Sequence, residues 1–322
     1  MGKSKPVPTE QRNPQSRGLD SKSTREILRV LNREDARVAL AVRRELPNVA
    51  RAVDSIVKAF RSGGRLFYIG AGTSGRLAVL DAAECPPTFG TSPQMVQAMI
   101  AGGARALRHA VEGAEDSAQD GARDLARARV SKKDVAVGIA ASGTTPYVLG
   151  ALKFARGRGA VTVSVTSNPR SPLARAANIA IVPDTGPEVI TGSTRLKAGT
   201  AQKMVLNLLS TAAMVRIGRV YENWMAHVAL TNDKLRRRGA RILEEAAGVN
   251  AALAERTLHE AENDLAVALV MLKKTVSPQI ARRAIATTGG NVRQALASLG
   301  SKQSKRIAPS ARTSKKVSAG QQ

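Results

Sequence analysis

The feature that most constrains the fold of this chain is a short unit in which an apolar run enters a glycine-rich loop and then a helix-forming stretch. Residues 66–69 suit a β-strand, residues 70–75 contain three glycines, a threonine and a serine, and residues 76–83 favour a helix. Glycines let the backbone turn tightly and approach a ligand, and the free N–H groups at a helix start attract anions. This unit predicts a phosphate site, with a tight turn that binds nothing as the alternative.

The same loop matches the GxGxxG pattern of dinucleotide-binding proteins, which requires an acidic residue about 20 positions further on, at the end of the second strand. The next strand candidate, residues 95–100, continues instead into Ala101, Gly102 and Gly103. No carboxylate is present there to hold a ribose hydroxyl. We therefore expect the loop to bind one phosphate group through Gly72, Thr73 and Ser74, without a nicotinamide cofactor.

Strand-like runs alternate with helical stretches along the body of the chain, which is typical of a parallel sheet covered on both faces. Ligands bind such sheets at the carboxyl ends of the strands, so the loops that follow these runs are expected to form the site. The five strand candidates are residues 66–69, 95–100, 135–140, 161–166 and 179–182.

A second loop with hydroxyl side chains follows the third strand candidate, where Ser142, Gly143, Thr144 and Thr145 precede a helix that begins near Pro146. Two such loops at one edge of a sheet could bind one phosphate from two sides. Serine and threonine are also favoured as ordinary helix caps, so a purely structural role for Ser142 and Thr145 stays open.

Composition excludes several other classes of function. Aromatic residues make up 2% of the chain, which argues against recognition of single-stranded nucleic acid by base stacking. No apolar run is long enough for a membrane span, and no signal-type segment begins the chain, so we expect a cytoplasmic protein. A single cysteine, Cys85, and three scattered histidines indicate neither a disulfide nor a metal site.

The formal net charge of +25 comes in part from residues 301–322, which contain six lysines or arginines and no acidic residue. This stretch has no apolar periodicity and is expected to be a disordered basic tail. No DNA-reading element accompanies the charge, so no specific nucleic-acid partner is predicted.

Five segments together resemble the sugar isomerase, or phosphosugar-binding, domain and, more closely, the N-acetylmuramic acid 6-phosphate etherase family. The resemblance spans residues 9 to about 299. It departs from the family pattern at Thr144, where an arginine is expected. The segments are residues 9–14, residues 70–76 with residues 84–88, residues 109–116, the Ser142 loop, and residues 191–203.

The resemblance implies an α/β fold with a five-stranded parallel sheet flanked by helices, similar to flavodoxin, and a small helical C-terminal module. The expected parts are an N-terminal arm with helices (residues 1–50), the phosphosugar-binding domain (51–240), the helical module (241–300) and the tail (301–322). A break at residues 248–250 and a helix start at Ser277 are expected in the module. Related domains often complete their sites across a dimer, so a homodimer is also expected.

The implied reaction replaces the lactyl ether of N-acetylmuramic acid 6-phosphate by a hydroxyl group, and it needs two proton-transfer groups and no cofactor. By resemblance, Glu84 is the acid that protonates the departing lactate, and Glu115 removes the proton from carbon 2. Glu84 is expected at the end of a helix that Pro86 and Pro87 stop. A structural role stays open for Glu115, since acidic residues also cluster at helix starts. Glu112, in the same acidic run, is a lesser candidate for substrate contact or loop structure.

Residues Ser193, Arg195 and Lys197 are predicted to contact the phosphate or the lactyl carboxylate. An internal ion pair is the alternative for this cationic helix start, and His109 is expected to be structural. Two other functions stay open: a non-catalytic phosphosugar sensor like the glucokinase regulatory protein, and an aldose–ketose isomerase. Neither would need both glutamates.

Overall fold

A computed structural model describes residues 7–303, with side chains to residue 300. The chain divides into two compact units. The first extends to Val220 and includes His227–Ala229, and the second consists of Tyr221–Ala226 and the residues from Leu230 onward. Beyond the backbone of residues 301–303, the predicted basic tail lies outside the described residues.

The first unit contains a five-stranded sheet in which all paired strands are parallel, and this confirms the predicted α/β fold. The strand order is β2-β1-β3-β4-β5, the order of flavodoxin-like sheets. Leu66 pairs with Val96 on one side and with Val135 on the other. The strands are β1 (Leu66–Gly70), β2 (Val96–Ile100), β3 (Val135–Ile139), β4 (Val161–Val165) and β5 (Ile179–Ile181).

Helices cover both faces of this sheet because successive strand side chains point to opposite sides. In β1, Leu66 and Tyr68 join a core formed with α3, α4 and α8, whereas Phe67 and Ile69 join a core formed with α5, α6 and α7. The helices of this unit are α1 (Thr24–Asp35), α2 (Val38–Arg44), α3 (Leu46–Arg61), α4 (Gly72–Phe89), α5 (Ala118–Arg127), α6 (Pro146–Gly157), α7 (Pro172–Ala176) and α8 (Lys197–Arg216).

Helix α4 corrects one prediction, because it continues through Pro86 and Pro87 to Phe89. A proline already has a helical φ angle, so what these two residues remove is the N–H donor for the carbonyls four positions earlier. The helix ends instead at Gly90, whose φ of 60° forms a left-handed cap and whose N–H bonds to Pro86 O. Glu84 consequently lies within the helix, more than a turn before its end.

The second unit is helical over the described residues. Its most buried element is α11, in which every residue from Leu265 to Met271 is buried. The predicted break at residues 248–250 and the helix start at Ser277 are both confirmed, since Asn250 and Ser277 cap the helices that follow. The helices are α9 (Asp233–Ala247), α10 (Ala251–Glu260), α11 (Leu265–Lys274), α12 (Pro278–Thr287) and α13 (Val292–Gln303).

None of the helices in the described part of the chain combines the length and the apolar character that crossing a membrane requires.

Candidate active site

The first glycine loop, residues 70–75, consists of the end of β1, Ala71 and the first turn of α4, and that helix starts without a side-chain cap. Ala71 is the N-cap residue and supplies no acceptor, so the first N–H groups of α4 are available to an anion. Gly72 has a φ of 52°. A Cβ on Gly75 would lie 2.5 Å from Ile100 Cγ1, so the close approach of helix and sheet requires glycine there.

The two hydroxyl residues of this loop differ in their surroundings. Thr73 is half-buried, whereas Ser74 is buried and its hydroxyl donates to Oε1 of Gln202 at 2.9 Å. A Cβ on Gly199 would lie 3.5 Å from Thr73 Cγ2, so the first turns of α8 pass directly beside the loop. Helix α8 therefore packs directly against the first glycine loop.

The second predicted loop follows β3, which pairs directly with β1, so both loops emerge at the carboxyl edge of neighbouring parallel strands. The hydroxyl oxygens of Ser142 and Thr144 are 2.9 Å apart. Thr145 is the N-cap residue of α6, but its side chain makes no capping hydrogen bond. Its hydroxyl is thus not used for the structural role that the sequence left open.

This second loop is supported from the end of β4. Asn168 donates through Nδ2 to Ser142 O at 3.1 Å, and the Thr166 hydroxyl donates to Ala141 O at 3.1 Å. Gly143 has a φ of 67°, and a Cβ there would lie 2.3 Å from Ser171 Cβ. These contacts fix the loop backbone, and the polar run that follows β4 was the sequence signal for them.

The segment before α8 divides into exposed and buried parts. Ser193 is half-buried and Arg195 is exposed, whereas the Lys197 side chain is 2% exposed and its Nζ lies 2.6 Å from Glu34 Oε2. Glu188, fully buried, accepts hydrogen bonds from the N–H groups of Lys197 and Ala198. Burial raises the pKa of Glu188, and these N–H groups offset part of that effect.

The charge of Lys197 and the N–H groups at the start of α8 thus have partners inside the protein. The ammonium group of Lys197 serves the internal ion pair that the sequence left open as the alternative to substrate binding. Among the cations predicted for this segment, Arg195 is the one exposed to a ligand.

Glu84 and Glu115 are both exposed, and they lie on segments attached to the first loop. Glu84 is on α4 itself. Next to it, Cys85 is buried, and burial together with the charges of Asp81 and Glu84 raises the pKa of its thiol to about 12. The thiol is therefore protonated at neutral pH and is not a candidate nucleophile.

Glu115 is in a short 3-10 turn, Ala114–Asp116, which contacts α6. Glu112 and His109 in the preceding segment are also exposed. Neither Glu112 nor Glu115 occupies the first turn of α5, which starts at Ala118 after the cap residue Ser117. The helix-start explanation for the acidic residues therefore does not account for Glu115.

Arg76 connects these segments. Its Nε donates to the carbonyls of Ala106 at 3.0 Å and Leu107 at 3.2 Å, and its Nη2 donates to His109 O at 3.3 Å. A guanidinium group presents several donors in a fixed planar arrangement and suits such a cluster of carbonyls. The first turn of α4 is thereby tied to the strand-end segment that leads to Glu115.

A buried polar cluster lies between β1, α4 and α8. Ser210 donates to Asp81 Oδ1 at 3.1 Å, and the fully buried Tyr68 lies close to the same carboxylate. Burial raises the pKa of Asp81, although its hydrogen bonds oppose that shift. This cluster ties the middle of α4 to α8, on the same helix that carries Glu84.

Protein-family models match two overlapping parts of the chain. The model described as the glucokinase regulatory protein N-terminal SIS domain matches residues 48–156, and the SIS domain model matches residues 103–212. Among solved structures, a phosphoheptose isomerase from Francisella tularensis is 17% identical, with a TM-score of 0.47, and covers 60% of this chain and 98% of that one.

Curated relatives match nearly the whole chain. The N-acetylmuramic acid 6-phosphate etherase of Actinobacillus pleuropneumoniae serotype 5b (strain L20) is 52% identical over 288 residues, which cover 89% of this chain and 95% of that protein. The chain belongs to the N-acetylmuramic acid 6-phosphate etherase family. The etherase of Geobacillus thermodenitrificans (strain NG80-2) is 51% identical and covered to 98%. The resemblance predicted from the sequence is therefore confirmed.

In this member of the etherase family, sequence reasoning missed three residues that shape the site: Arg76, Asn168 and Gln202. Each acts through a contact with a segment distant in sequence, and Gln202 bonds to a side chain 128 positions away. Arg76 and Gln202 lie inside segments that carried the resemblance to the etherases, which was the available signal for them.

Proposed function

We propose that this protein is an N-acetylmuramic acid 6-phosphate etherase, a carbon–oxygen lyase that produces N-acetylglucosamine 6-phosphate and D-lactate in the breakdown or recycling of cell-wall amino sugars. The observation that carries the proposal is the 52% identity to a curated etherase over 95% of its length. Two structural features support it: the two hydroxyl-rich loops emerge from neighbouring strands, and Arg76 ties the segment that leads to Glu115 to α4, the helix that carries Glu84.

In the proposed complex, the phosphate of the sugar lies at the start of α4. The N–H groups and side chains of Gly72, Thr73 and Ser74 contact it from one loop, and the hydroxyls of Ser142 and Thr145 contact it from the other. Ser193 and Arg195 bind the lactyl carboxylate or the phosphate. Lys197 contributes indirectly, because its ion pair with Glu34 anchors the end of this segment.

The proposed mechanism is an elimination followed by a hydration. The aldehyde of the open-chain sugar acidifies the carbon-2 proton, and Glu115 removes it to give an enolate. The C3–O bond then breaks as Glu84 protonates the departing lactate. Glu84 then accepts a proton from water as the water oxygen bonds to carbon 3, and Glu115 returns a proton to carbon 2. The elimination and the hydration together involve no net redox change, so proton transfer by two carboxylates suffices.

We further propose a cytoplasmic homodimer. Leu28, Leu40 and Leu46, on the helices before the sheet, are 59%, 52% and 44% exposed, and a partner subunit that covered them would remove apolar surface from water. A sugar phosphate carries a charge that opposes its passage through a lipid bilayer, and this supports a cytoplasmic location for an enzyme that consumes one. The molar mass in solution, measured by light scattering, tests the dimer.

The experiment that tests the activity uses the purified protein and N-acetylmuramic acid 6-phosphate in water enriched in heavy oxygen. The expected products are D-lactate and N-acetylglucosamine 6-phosphate with the label at carbon 3. Unphosphorylated N-acetylmuramic acid is the matched control and should not react, because the phosphate loops have nothing to bind. Binding without turnover would indicate a sensor. An aldose–ketose isomerase would release no lactate from this 2-acetamido sugar, but it would convert an aldose phosphate with a hydroxyl at carbon 2 into a ketose phosphate.

A further inference from the structure

The hydrogen bond between Ser74 and Gln202 lies inside the protein, directly behind the start of α4. Ser74 is 9% exposed and Gln202 is 1% exposed, and the serine hydroxyl donates to the glutamine Oε1 at 2.9 Å. The two residues come from the first glycine loop and from α8. The contact is therefore a buried link between the predicted phosphate loop and the helix beside it.

The other end of the same amide has no hydrogen-bond partner among the described residues. Gln202 Nε2 is buried and unpaired. Because Nε2 and Oε1 are attached to one carbon, this unpaired donor also lies beside Ser74. Buried donors in folded proteins are nearly always paired, so an unpaired amide at this position needs an explanation.

The single hydrogen of the Ser74 hydroxyl suggests an explanation for this unpaired amide. A serine hydroxyl carries a single hydrogen, whereas a phosphate monoester dianion only accepts hydrogen bonds. While the hydroxyl donates to Gln202 Oε1, it has no hydrogen to give to a phosphate. If the amide is turned over, Nε2 donates to Ser74 Oγ and the hydroxyl hydrogen is released toward the ligand.

We propose that Gln202 is a positioning residue for the phosphate of the substrate, and that its side-chain amide reverses when the phosphate binds. The inference rests on the proposed function only in that the phosphate is that of the proposed substrate. In the free protein Oε1 accepts from Ser74 and Nε2 is unpaired. In the complex Nε2 donates to Ser74 Oγ, and the serine donates to a phosphate oxygen.

This reversal accounts for the residue type at the position. The two ends of a glutamine amide have nearly the same shape, so turning it over needs no repacking of the surroundings. A glutamate could accept from Ser74 but could not donate to it, and its charge would repel the phosphate. Methionine has a similar length and offers neither a strong donor nor a strong acceptor.

The test is a double-mutant cycle on the full chain, with calorimetric binding of N-acetylglucosamine 6-phosphate as the readout. Ser74→Ala removes the hydroxyl and should weaken binding by about ten- to a hundredfold, whereas Gln202→Met leaves the hydroxyl without the Nε2 donor that orients it and should weaken binding by about three- to tenfold. The double variant should bind no more weakly than Ser74→Ala alone, because Gln202 acts on the phosphate only through that hydroxyl. Gln202→Glu should weaken binding at least as much as Gln202→Met.

Steady-state kinetics distinguish a phosphate-positioning role of Gln202 from a purely structural role. KM for the proposed substrate should rise in Gln202→Met while kcat is largely retained, because the glutamates are untouched. Gln97→Met, which removes a side-chain amide on edge strand β2, is the matched control and should leave binding unchanged. Losses that add in the double variant, or an unchanged affinity of Gln202→Met, would overturn the inference.

A second measurement covers the case in which Gln202→Met does not fold. In wild-type protein labelled with nitrogen-15 glutamine, the Gln202 amide signal, assigned with Gln202→Asn or Ser74→Ala, should shift with N-acetylglucosamine 6-phosphate and not with N-acetylglucosamine. No shift would contradict the inference. If the wild type binds the phosphosugar in a Gln202-dependent way but releases no lactate, the proposed function fails and this inference stands.

Discussion

Lys197 and Glu34 form a buried ion pair that joins the first residue of α8 to α1, with 2.6 Å between Nζ and Oε2 and each side chain 2% exposed. Asn13 donates to the same carboxylate oxygen at 2.8 Å, and Arg37 donates to the other oxygen at 3.1 Å. One carboxylate therefore holds together the N-terminal arm, α1 and the segment that carries Ser193 and Arg195.

Removing one partner of this pair should destabilise the protein strongly, because an unpaired charge would remain buried. We expect Lys197→Met to lower the free energy of unfolding by about 3–5 kcal/mol. The double variant Glu34→Leu/Lys197→Met should lose less than Lys197→Met alone. Urea denaturation measures both values. A small effect of Lys197→Met would mean that Glu34 is satisfied without the ammonium group.

The same pair predicts how stability depends on pH. Burial alone would raise the pKa of Glu34, but hydrogen bonds from Lys197, Asn13 and Arg37 outweigh it and lower the pKa from 4.5 to about 2. A lowered pKa in the folded state means that the stabilisation is complete above the unfolded value and is lost as the pH falls toward about 2. Glu34→Gln should therefore be less stable than wild type at neutral pH.

Urea denaturation at a series of pH values checks this prediction. The difference in free energy of unfolding between wild type and Glu34→Gln should narrow below about pH 4.5, since protonation removes the charge that the variant lacks. Asp54→Asn is the matched control, because its ion pair with Arg216 is exposed to solvent and is expected to contribute little. A constant difference would contradict the prediction.

Local patterns were sufficient to predict the sheet. Short apolar runs followed by small polar residues located all five strands, because strand periodicity and loop chemistry are properties of neighbouring residues. The positions of the two hydroxyl-rich loops after β1 and β3 were predicted for the same reason. The end of α4 was not predicted correctly, since a rule based on the missing N–H of proline overlooks a helix that continues through two prolines.

The partners of the site residues could not be predicted in this way. The pairing of Lys197 with Glu34 and of Ser74 with Gln202 depends on how α8 packs against α1 and α4. Residues separated by more than a hundred positions leave no periodic signal in the sequence. The sequence therefore indicated Lys197 as a candidate substrate-binding residue, but only the packing of the helices shows that its ammonium group pairs with a carboxylate.

Adding a single methyl group at Gly143 is expected to change both stability and phosphosugar affinity. Gly143→Ala would place Cβ 2.3 Å from Ser171 Cβ at a φ of 67°, so the second loop must shift. We expect a loss of about 1–3 kcal/mol in stability and a large loss of phosphosugar affinity. Calorimetric binding of N-acetylglucosamine 6-phosphate and thermal unfolding measure the two effects.

Gly63→Ala is the matched control for this variant. Gly63 has a φ of 74°, and a Cβ there would meet nothing within 4 Å. Gly63→Ala should lose about 1–2 kcal/mol of stability because of the backbone conformation alone, and it should keep its phosphosugar affinity. If Gly143→Ala behaved like Gly63→Ala, the second loop would not contact the phosphate.

Arg76 should affect catalysis more than binding. Arg76→Met removes the three hydrogen bonds to carbonyls in residues 106–109, so the segment that leads to Glu115 loses its attachment to α4. We expect kcat to fall by up to about 100-fold with a smaller change in KM, because misplacement of a catalytic group mainly raises the barrier. Arg76→Lys should not restore kcat, since lysine lacks the planar donor arrangement.

Arg108→Met, an exposed change in the same segment, is the control. A rise in KM alone would assign Arg76 to phosphate binding.

The two glutamates should be separable by carbon-2 proton exchange, measured by mass spectrometry in deuterated water. Glu84→Gln should lower lactate release by about 10²–10⁴-fold and still exchange the carbon-2 proton, whereas Glu115→Gln should lose both. Asp116→Asn, in the same turn as Glu115, is the control and should retain both. Normal exchange in Glu115→Gln together with its loss in Glu112→Gln would transfer the role of base to Glu112.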